Sequence, residues 1–284
     1  MEIINRRQRI ASLTRKLRRE NKTIGLVPTM GALHEGHLRL VSEARQMCDV
    51  VIVSIFVNPT QFGKGEDFEK YPRDLTADAA LLAEYQVDYV FAPAVEEIYP
   101  KGACTFVYVD GISEKYEGAS RPGHFRGVAT VVTILFNSIR PDFAFFGQKD
   151  AQQVSLIQQF TRDLGFETEI VIVPIVREEN GLAMSSRNAF LTLEERQKAS
   201  VIYESLKAAK IAFRDGERNA SRLEQIVSEK IINEPLANLD YVAIVNNIDF
   251  EPVEIIGDEQ VLIAVAVRFG NVRLIDNVVL NRKQ

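Results

Sequence analysis

The chain has 284 residues, enough for one large domain or two smaller ones. It is 46% hydrophobic and 26% charged with a net charge of −5, an ordinary globular balance with none of the basic excess of a nucleic-acid binder. No apolar run approaches the roughly 18 residues that span a bilayer, and two cysteines make no disulfide framework, so no membrane span is expected and the thiols are expected to be reduced, in the cytoplasm. The first predicted element is an amphipathic helix. Ile3, Ile4, Ile10, Leu13 and Leu17 form its apolar stripe, and the arginines between Arg6 and Arg19 its solvated face. Thr23 to Val27 reads as a buried strand that Pro28-Thr29-Met30-Gly31 breaks. A helix over 36–47, a strand over 50–57 and a loop over 58–63 follow. Asp74 is placed to cap a helix over 75–85. Short strands are predicted at 87–92 and 105–109. A Gly-rich loop at 118–127 then leads into a helix bearing Val128, Val131, Val132 and Leu135. Strand 142–146, helix 151–164 and strand 168–173 complete the alternation. Such β–α alternation with continuous apolar strands predicts an α/β fold, a Rossmann-like parallel sheet covered on both faces.

The pattern changes after about residue 187. Thr192-Leu-Glu-Glu195 and Ser221-Arg-Leu-Glu224 read as capping boxes opening two charged helices. Strands are predicted at 239–246, 261–269 and 272–279, which makes a smaller C-terminal α+β domain. The expected division is a Rossmann-like domain over 1–176, a hinge over 177–188 and a C-terminal domain over 189–284. Ligands of parallel sheets bind beyond the carboxyl ends of the strands. The loops at 28–37, 58–63 and 147–153 all follow predicted strands and are expected to converge there.

His34-Glu35-Gly36-His37 is the most telling motif. A strand, a Gly-containing turn and a helix N-terminus present backbone N–H groups and a positive dipole end to an anion. In a helix, His34 and His37 would share one face. Two imidazoles beside such a cradle point to nucleotidyl transfer. The competing readings are a zinc helix, for which the spacing is one residue short of H-E-x-x-H, and a helix cap with incidental histidines. The only other histidine is His124, so no dense ligand set appears. Gly147-Gln148-Lys149-Asp150 repeats the strand–Gly–helix logic without being a P-loop, and Lys149 there is a mobile point cation. Met184-Ser185-Ser186-Arg187 offers two hydroxyls and a guanidinium fork to phosphate oxygens. Arg121-Pro-Gly-His-Phe-Arg-Gly127 is a cationic loop before a helix. Gln61 and Gln153 suit a polar substrate with hydroxyl and carboxylate groups, with Met30 and Phe62 as an apolar wall. No nucleophile motif is present, which favours direct displacement at phosphorus.

Together these segments closely resemble the pantothenate synthetase (pantoate–β-alanine ligase) family. The resemblance runs through Pro28 to His37, Ser54 to Gly63, Glu66-Asp-Phe68, Tyr71-Pro-Arg73, Arg121 to Gly127, Phe146 to Asp150 with Gln152-Gln153, Gly181 to Asn188, and Arg268 to Asn277. It implies an ATP-dependent ligase in which pantoate's carboxylate attacks the α-phosphate of ATP. Pantoyl adenylate and pyrophosphate form, and the amine of β-alanine then displaces AMP. By the same resemblance, Met30, Gly31, Ala32, Leu33, His34, Glu35, Gly36 and His37 contact ATP. So do Gly147, Gln148, Lys149, Asp150, Val176, Met184, Ser185, Ser186 and Arg187. His37 matches the acid/base, His34, His37, Lys149 and Arg187 would stabilise charge moving onto pyrophosphate, and Gln61 and Gln153 bind pantoate. Mg²⁺ accompanies ATP, with no protein ligand assignable; Asp78 is one carboxylate among many. A homodimer is implied, and the C-terminal domain is expected to act as a lid over a hydrolysable adenylate. The alternatives are another H-x-G-H adenylyltransferase and a nucleotide-binding regulator that does not turn over. One departure from the family pattern is Asn180 before Gly181, where Asp is commoner. Both residues suit such a turn, so a small effect is expected.

Overall fold

The computed structural model describes residues 1–281 other than 64 and 67; Asp67, within the Glu66–Phe68 match, lies outside the described residues. The chain divides into two compact units. One comprises Met1–Gly147 and Leu156–Val173, the other Gln148–Ser155 and Pro174–Gln284.

The first unit is built on β1 (Glu2–Ile4), α1 (Arg7–Arg19), β2 (Ile24–Thr29), α2 (Glu35–Met47), β3 (Val50–Ile55), α3 (Leu75–Glu84) and β4 (Tyr89–Phe91). Then come the short α4 (Val95–Ile98) and α5 (Glu117–Ser120), the long α6 (His124–Ile139), β5 (Phe143–Gly147), α7 (Ala151–Asp163) from Leu156 onward, and β6 (Glu169–Val173). Its sheet is parallel throughout, in the order β1-β4-β3-β2-β5-β6. Strand order reverses between β2 and β5, the switch point where such sheets open a ligand crevice. Val27, Val51, Val53, Val90, Phe145 and Val173 form one core with Leu38, Val41 and Ala44 of α2. Phe136, Phe160 and Phe166 pack as mutually tilted rings.

Several boundaries differ from the sequence expectation, each for a physical reason. Pro28 does not break its strand. The Ile24 carbonyl accepts from Asp142 beside β5, and the Thr29 carbonyl accepts from Phe56 beside β3. Alternation therefore turns the missing Pro28 N–H toward β5, beyond the last registered pair at Leu26–Ala144, where no ladder bond is lost. Ile3 and Ile4 belong to β1 rather than to the first helix, because β4 offers them a parallel partner. Residues 105–109 form no strand; the Val107 N–H donates to Thr130 Oγ1 on α6 at 3.0 Å instead. The helix expected after a loop ending at 127 already begins at His124, since Gly123 adopts φ 85° and turns the chain there.

The second unit adds α8 (Leu193–Lys198), α9 (Ser200–Arg214), α10 (Ala220–Ile232) and an antiparallel sheet of β7 (Ala237–Asn246), β8 (Val261–Phe269) and β9 (Val272–Leu280). Ile202, Leu206, Leu223 and Val227 from the helices pack on Ile263, Val265 and Val267 of the central strand β8. Thr192 and Glu195 form the predicted capping box. The second proposed box fails: Asn219, not Ser221, caps α10, accepting from the Arg222 N–H at 3.1 Å. Backbone bonds from Ala220 to Glu254 and from Ile256 to Arg218 pin the chain there and start the helix two residues early. No described helix is long and apolar enough to cross a membrane.

Thr192 Oγ1 accepts from the Glu195 N–H at 3.2 Å while Glu195 accepts from the Thr192 N–H at 2.8 Å. Thr192→Ala is expected to lower stability by about 1 kcal/mol in denaturant unfolding, because an N-cap partner is lost without disturbing the core.

Candidate active site

Beyond the carboxyl end of β2 the chain needs two left-handed residues before a helix can begin. Gly31 takes φ 81° and Ala32 φ 51°. A Cβ on Gly31 would lie 2.8 Å from Asp78 Oδ2 and 3.1 Å from Ile55 Cγ2, so both conformation and space demand glycine. Asp78, buried on α3, accepts from the Ala32 and Leu33 N–H groups at 3.1 and 2.9 Å and fixes the turn. Thr29 Oγ1 donates to the Ser54 carbonyl at 2.8 Å and accepts from the Gly31 N–H at 3.2 Å.

His34 is then the N-cap of α2, with extended backbone, so it does not share a helical face with His37 as the spacing suggested. The two instead cap reciprocally. His34 Nδ1 accepts from the Gly36 N–H at 3.1 Å, and His37 Nδ1 accepts from the His34 N–H at 3.4 Å. The ring centroids lie 4.1 Å apart. An imidazole that accepts at Nδ1 carries its proton at Nε2 when neutral. Both rings are thus assigned as Nε2–H donors beside the positive end of a 13-residue helix. The caps occupy the Gly36 and His34 N–H groups, so what the two rings add as donors is their Nε2–H atoms.

Gln61 is buried in the turn after β3. Its Oε1 accepts from Asn58 Nδ2 at 3.1 Å, and its Nε2 points at Met30 Sδ, 3.0 Å away. A thioether is a weak acceptor, so a carboxylate or hydroxyl oxygen would be a better partner for this amide. Asn58 also donates to the Gly127 carbonyl and accepts from Thr60 and the Tyr99 hydroxyl. Gly127 allows this approach of α6, since a Cβ there would lie 2.5 Å from the Thr60 carbonyl oxygen. His124 Nδ1 meets the Gln61 carbonyl at 2.8 Å and its Nε2 meets the Arg121 guanidinium at 3.0 Å. Arginine can only donate, so His124 is assigned the opposite tautomer, Nδ1–H. Arg121 forks onto Glu66 at 2.9 and 2.7 Å. Burial works to raise the Glu66 carboxyl, but hydrogen bonding and charge from Arg121, with His124 nearby, hold it below its ordinary value. Phe62 packs edge-on to Phe68 and Tyr71.

In the second unit, Gln148–Asp150 form a single 3₁₀ turn before α7, and Lys149 Nζ lies 3.5 Å from Asp150 Oδ1. Gln153 is half-buried in the first turn of α7. The Met184 N–H donates to the Val176 carbonyl at 2.9 Å, and Arg177 bridges Ala183, so the 176–184 segment is a tight antiparallel turn about Gly181 at φ 93°. Asn180 closes that turn by accepting from the Leu182 N–H, as an Asp would. Ser185 Oγ accepts from the Arg187 N–H at 3.3 Å and caps the turn Ser186–Phe190. Asn188, buried, ties this turn to Glu178 and to the Ala183 carbonyl. Burial opposes ionisation of Glu178, yet Arg196 and Asn188 hold its carboxyl below the ordinary value. Among the described residues, no group of three His, Cys, Asp or Glu is placed to hold a metal ion. Burial pushes the Cys48 thiol up to about 11, in keeping with the absence of a nucleophile motif.

Motif reading missed Asp78, Asn58, His124 and Glu66 as site-building residues. Asn58 and His124 sit inside motifs already noted; Asp78 had no signal beyond its carboxylate.

A parallel sheet with a histidine-capped helix beyond an inner strand defines a Rossmann-like α/β protein of the H-x-G-H nucleotidyltransferase type. The chain belongs to the pantoate-beta-alanine ligase family, whose model matches residues 2–279. It is 52% identical over 282 residues to a pantothenate synthetase of Pelotomaculum thermopropionicum, covering 99% of this chain and 100% of that one. The pantothenate synthetase structure from Thermus thermophilus superposes with a TM-score of 0.90 at 44% identity, covering 98% and 99% of the two chains. A pantoate-beta-alanine ligase from Francisella tularensis, complexed with beta-gamma ATP and beta-alanine, gives 0.79 at 36% identity over 98% and 97%.

The Glu66–Arg121 pair carries a pH signature. A carboxyl held below its unfolded value of 4.5 contributes stability above that value and loses it as pH falls through the folded one. Glu66→Gln is expected to lower the thermal midpoint at neutral pH, with the difference from wild type shrinking steadily as the pH drops below 4.5. An equal difference at every pH would contradict the assignment. Asn58→Ala unties Gln61 from Gly127 and Tyr99 and is expected to lower stability by about 1–3 kcal/mol in denaturant unfolding, since buried partners are left unsatisfied.

Proposed function

We propose that the chain condenses pantoate with β-alanine, using ATP and releasing AMP and pyrophosphate. The reciprocal His34–His37 cap beyond β2 is the observation that carries this reading, in a chain matched to the ligase family over nearly its full length. The Francisella relative's complex with beta-gamma ATP and beta-alanine supports the choice of substrates.

In the first step a pantoate carboxylate oxygen attacks the α-phosphorus. The bond from that phosphorus to the bridging oxygen breaks, and its electrons leave on pyrophosphate. The Nε2–H groups of His34 and His37 face developing negative charge as neutral donors, the preorganised arrangement that lowers such barriers. Lys149 and Arg187 supply positive charge, and Ser185 and Ser186 hydroxyls hold phosphate oxygens. The backbone of Met30, Gly31, Ala32, Leu33, Glu35 and Gly36 lines the nucleotide, with Gly147, Gln148, Asp150, Val176 and Met184. Gln61 and Gln153 orient pantoate. In the second step the β-alanine amine attacks the acyl carbon of the mixed anhydride, the carbon–oxygen bond to AMP breaks, and the amine gives up a proton. Mg²⁺ would be held by ATP's own phosphate oxygens, which suit a hard cation, and would neutralise charge there; no group of three His, Cys, Asp or Glu among the described residues is placed to hold it.

The proposal includes a homodimer in the cytoplasm. Phe106 and Tyr108, 46% and 47% exposed, support the dimer as apolar surface for a second copy to cover. The two free thiols support the compartment.

The test is a coupled assay that omits each substrate in turn. AMP and pyrophosphate are expected in equal amounts only with ATP, pantoate and β-alanine all present; a product that retains AMP would instead mark a simple adenylyltransferase. Lys149→Ala and His37→Ala are each expected to slow pyrophosphate release about 10²–10³-fold, by analogy with other preorganised donors. Full rate in either variant removes that residue from the mechanism.

A further inference from the structure

Two buried polar residues on β9 have no part in the chemistry above. Asp276 is 4% exposed and Asn277 is 3% exposed. Asn277 Nδ2 donates to the Gln148 carbonyl at 2.9 Å and to the Lys149 carbonyl at 3.0 Å. Its Oδ1 accepts from Gln148 Nε2, also at 2.9 Å. The whole side-chain amide is therefore engaged with the one turn that carries Lys149. The Asn277 N–H donates to Asp276 Oδ1 at 2.7 Å. Both oxygens of Asp276 accept from the Arg177 fork, at 2.6 and 2.9 Å. Arg177 in turn donates to the Gly181 carbonyl at 3.1 Å and stacks 3.7 Å over the Tyr203 ring. Gly181 lies against the same ring, where a Cβ would approach to 2.7 Å. Arg177 and Ala183 form the bridge that leads directly into Met184–Arg187.

One dipeptide thus grips two segments far apart in sequence. Asn277 holds the Lys149 turn, and Asp276 holds the base of the Ser185–Arg187 turn through Arg177. A buried ion pair is a poor device for stability alone, because its desolvation offsets most of its attraction. It is a good device for fixing geometry, since a bidentate fork tolerates little rotation.

We propose that Asp276 and Asn277 are positioning residues, which set the spacing between Lys149 and the Ser185–Arg187 turn so that both meet the phosphates of one ATP. The inference rests on the ATP-binding reading of those two segments. Asp276 and Asn277 touch no substrate; they act through Lys149 and Arg187.

The test is a double-mutant cycle on the full-length protein, read as single-turnover pyrophosphate release with saturating pantoate. Asn277→Ala is expected to slow this step about 30- to 100-fold, the scale of a misplacement of about 1 Å. The pantoate KM is expected to stay within about twofold of wild type, since Asn277 does not act on that substrate. In the Lys149→Ala background, Asn277→Ala is expected to have little further effect. A structural role would give multiplying losses. Asn277→Asp keeps the shape and the acceptor but turns lone pairs toward two carbonyls, and the same non-additivity is expected of it. Asp276→Asn with Arg187→Ala reads the other arm in the same way. Near-wild-type rates in the Asn277 variants, additive losses, or failure of both variants to fold would each overturn the proposal. If Lys149→Ala itself keeps full rate, the ATP reading fails and this inference with it; a slow Lys149→Ala with additive Asn277 effects removes the inference alone.

Discussion

Two imidazoles that cap one helix through their Nδ1 atoms are the constraint on which the account depends. A serine at position 34 would satisfy a backbone N–H equally well, but it would leave no second donor. Histidine satisfies the helix with one ring nitrogen and keeps the other as a fixed proton donor. His37 repeats the arrangement on the N–H of His34. The cap therefore sets tautomer and ring orientation at once. Asp78 makes it possible, because its carboxylate holds the two left-handed residues that bring the chain round from β2 into α2.

The same economy appears wherever a charged or polar group is buried. Gln61 is oriented by Asn58, whose other contacts reach α6 and Tyr99. Glu66 and Arg121 fix His124 against the Gln61 carbonyl. In the second unit Asn188 and Glu178 brace the turn that carries Ser185 to Arg187. The net charge of −5 is thus no guide to the local field. Lys149, Arg121 and the Ser185–Arg187 turn are each held by buried or half-buried amides or carboxylates. Chemistry by positioning and charge neutralisation needs this kind of rigidity more than it needs a nucleophile.

The layout of strands and helices was legible because a parallel sheet writes itself as continuous apolar runs between amphipathic segments. Most elements fall within a few residues of expectation. Where the reading failed, a local rule was outweighed by a partner it could not see. Pro28 reads as a breaker, but its missing N–H faces a side where the ladder has already ended. Residues 105–109 have a strand's alternation and no strand beside them. Ser221 has the better box spacing, but backbone bonds at 218–220 hand the cap to Asn219. The motifs at 34–37, 147–150 and 184–187 stood out by residue type and by resemblance. Asn58 and Asn277 lie inside matched segments but had no role legible in their residue type, and Asp78 was one carboxylate among many, because each works through partners brought to it by the fold.

The chain's three histidines differ in which ring nitrogen holds the proton. Nitrogen-15 NMR of the labelled imidazoles at a pH where they are neutral measures this directly. Two rings are expected protonated at Nε2, assigned to His34 and His37, and one at Nδ1, assigned to His124. Adding ATP is expected to shift the Nε2 resonances of the first two. Protonation of His34 or His37 at Nδ1, or resonances indifferent to ATP, would contradict this assignment.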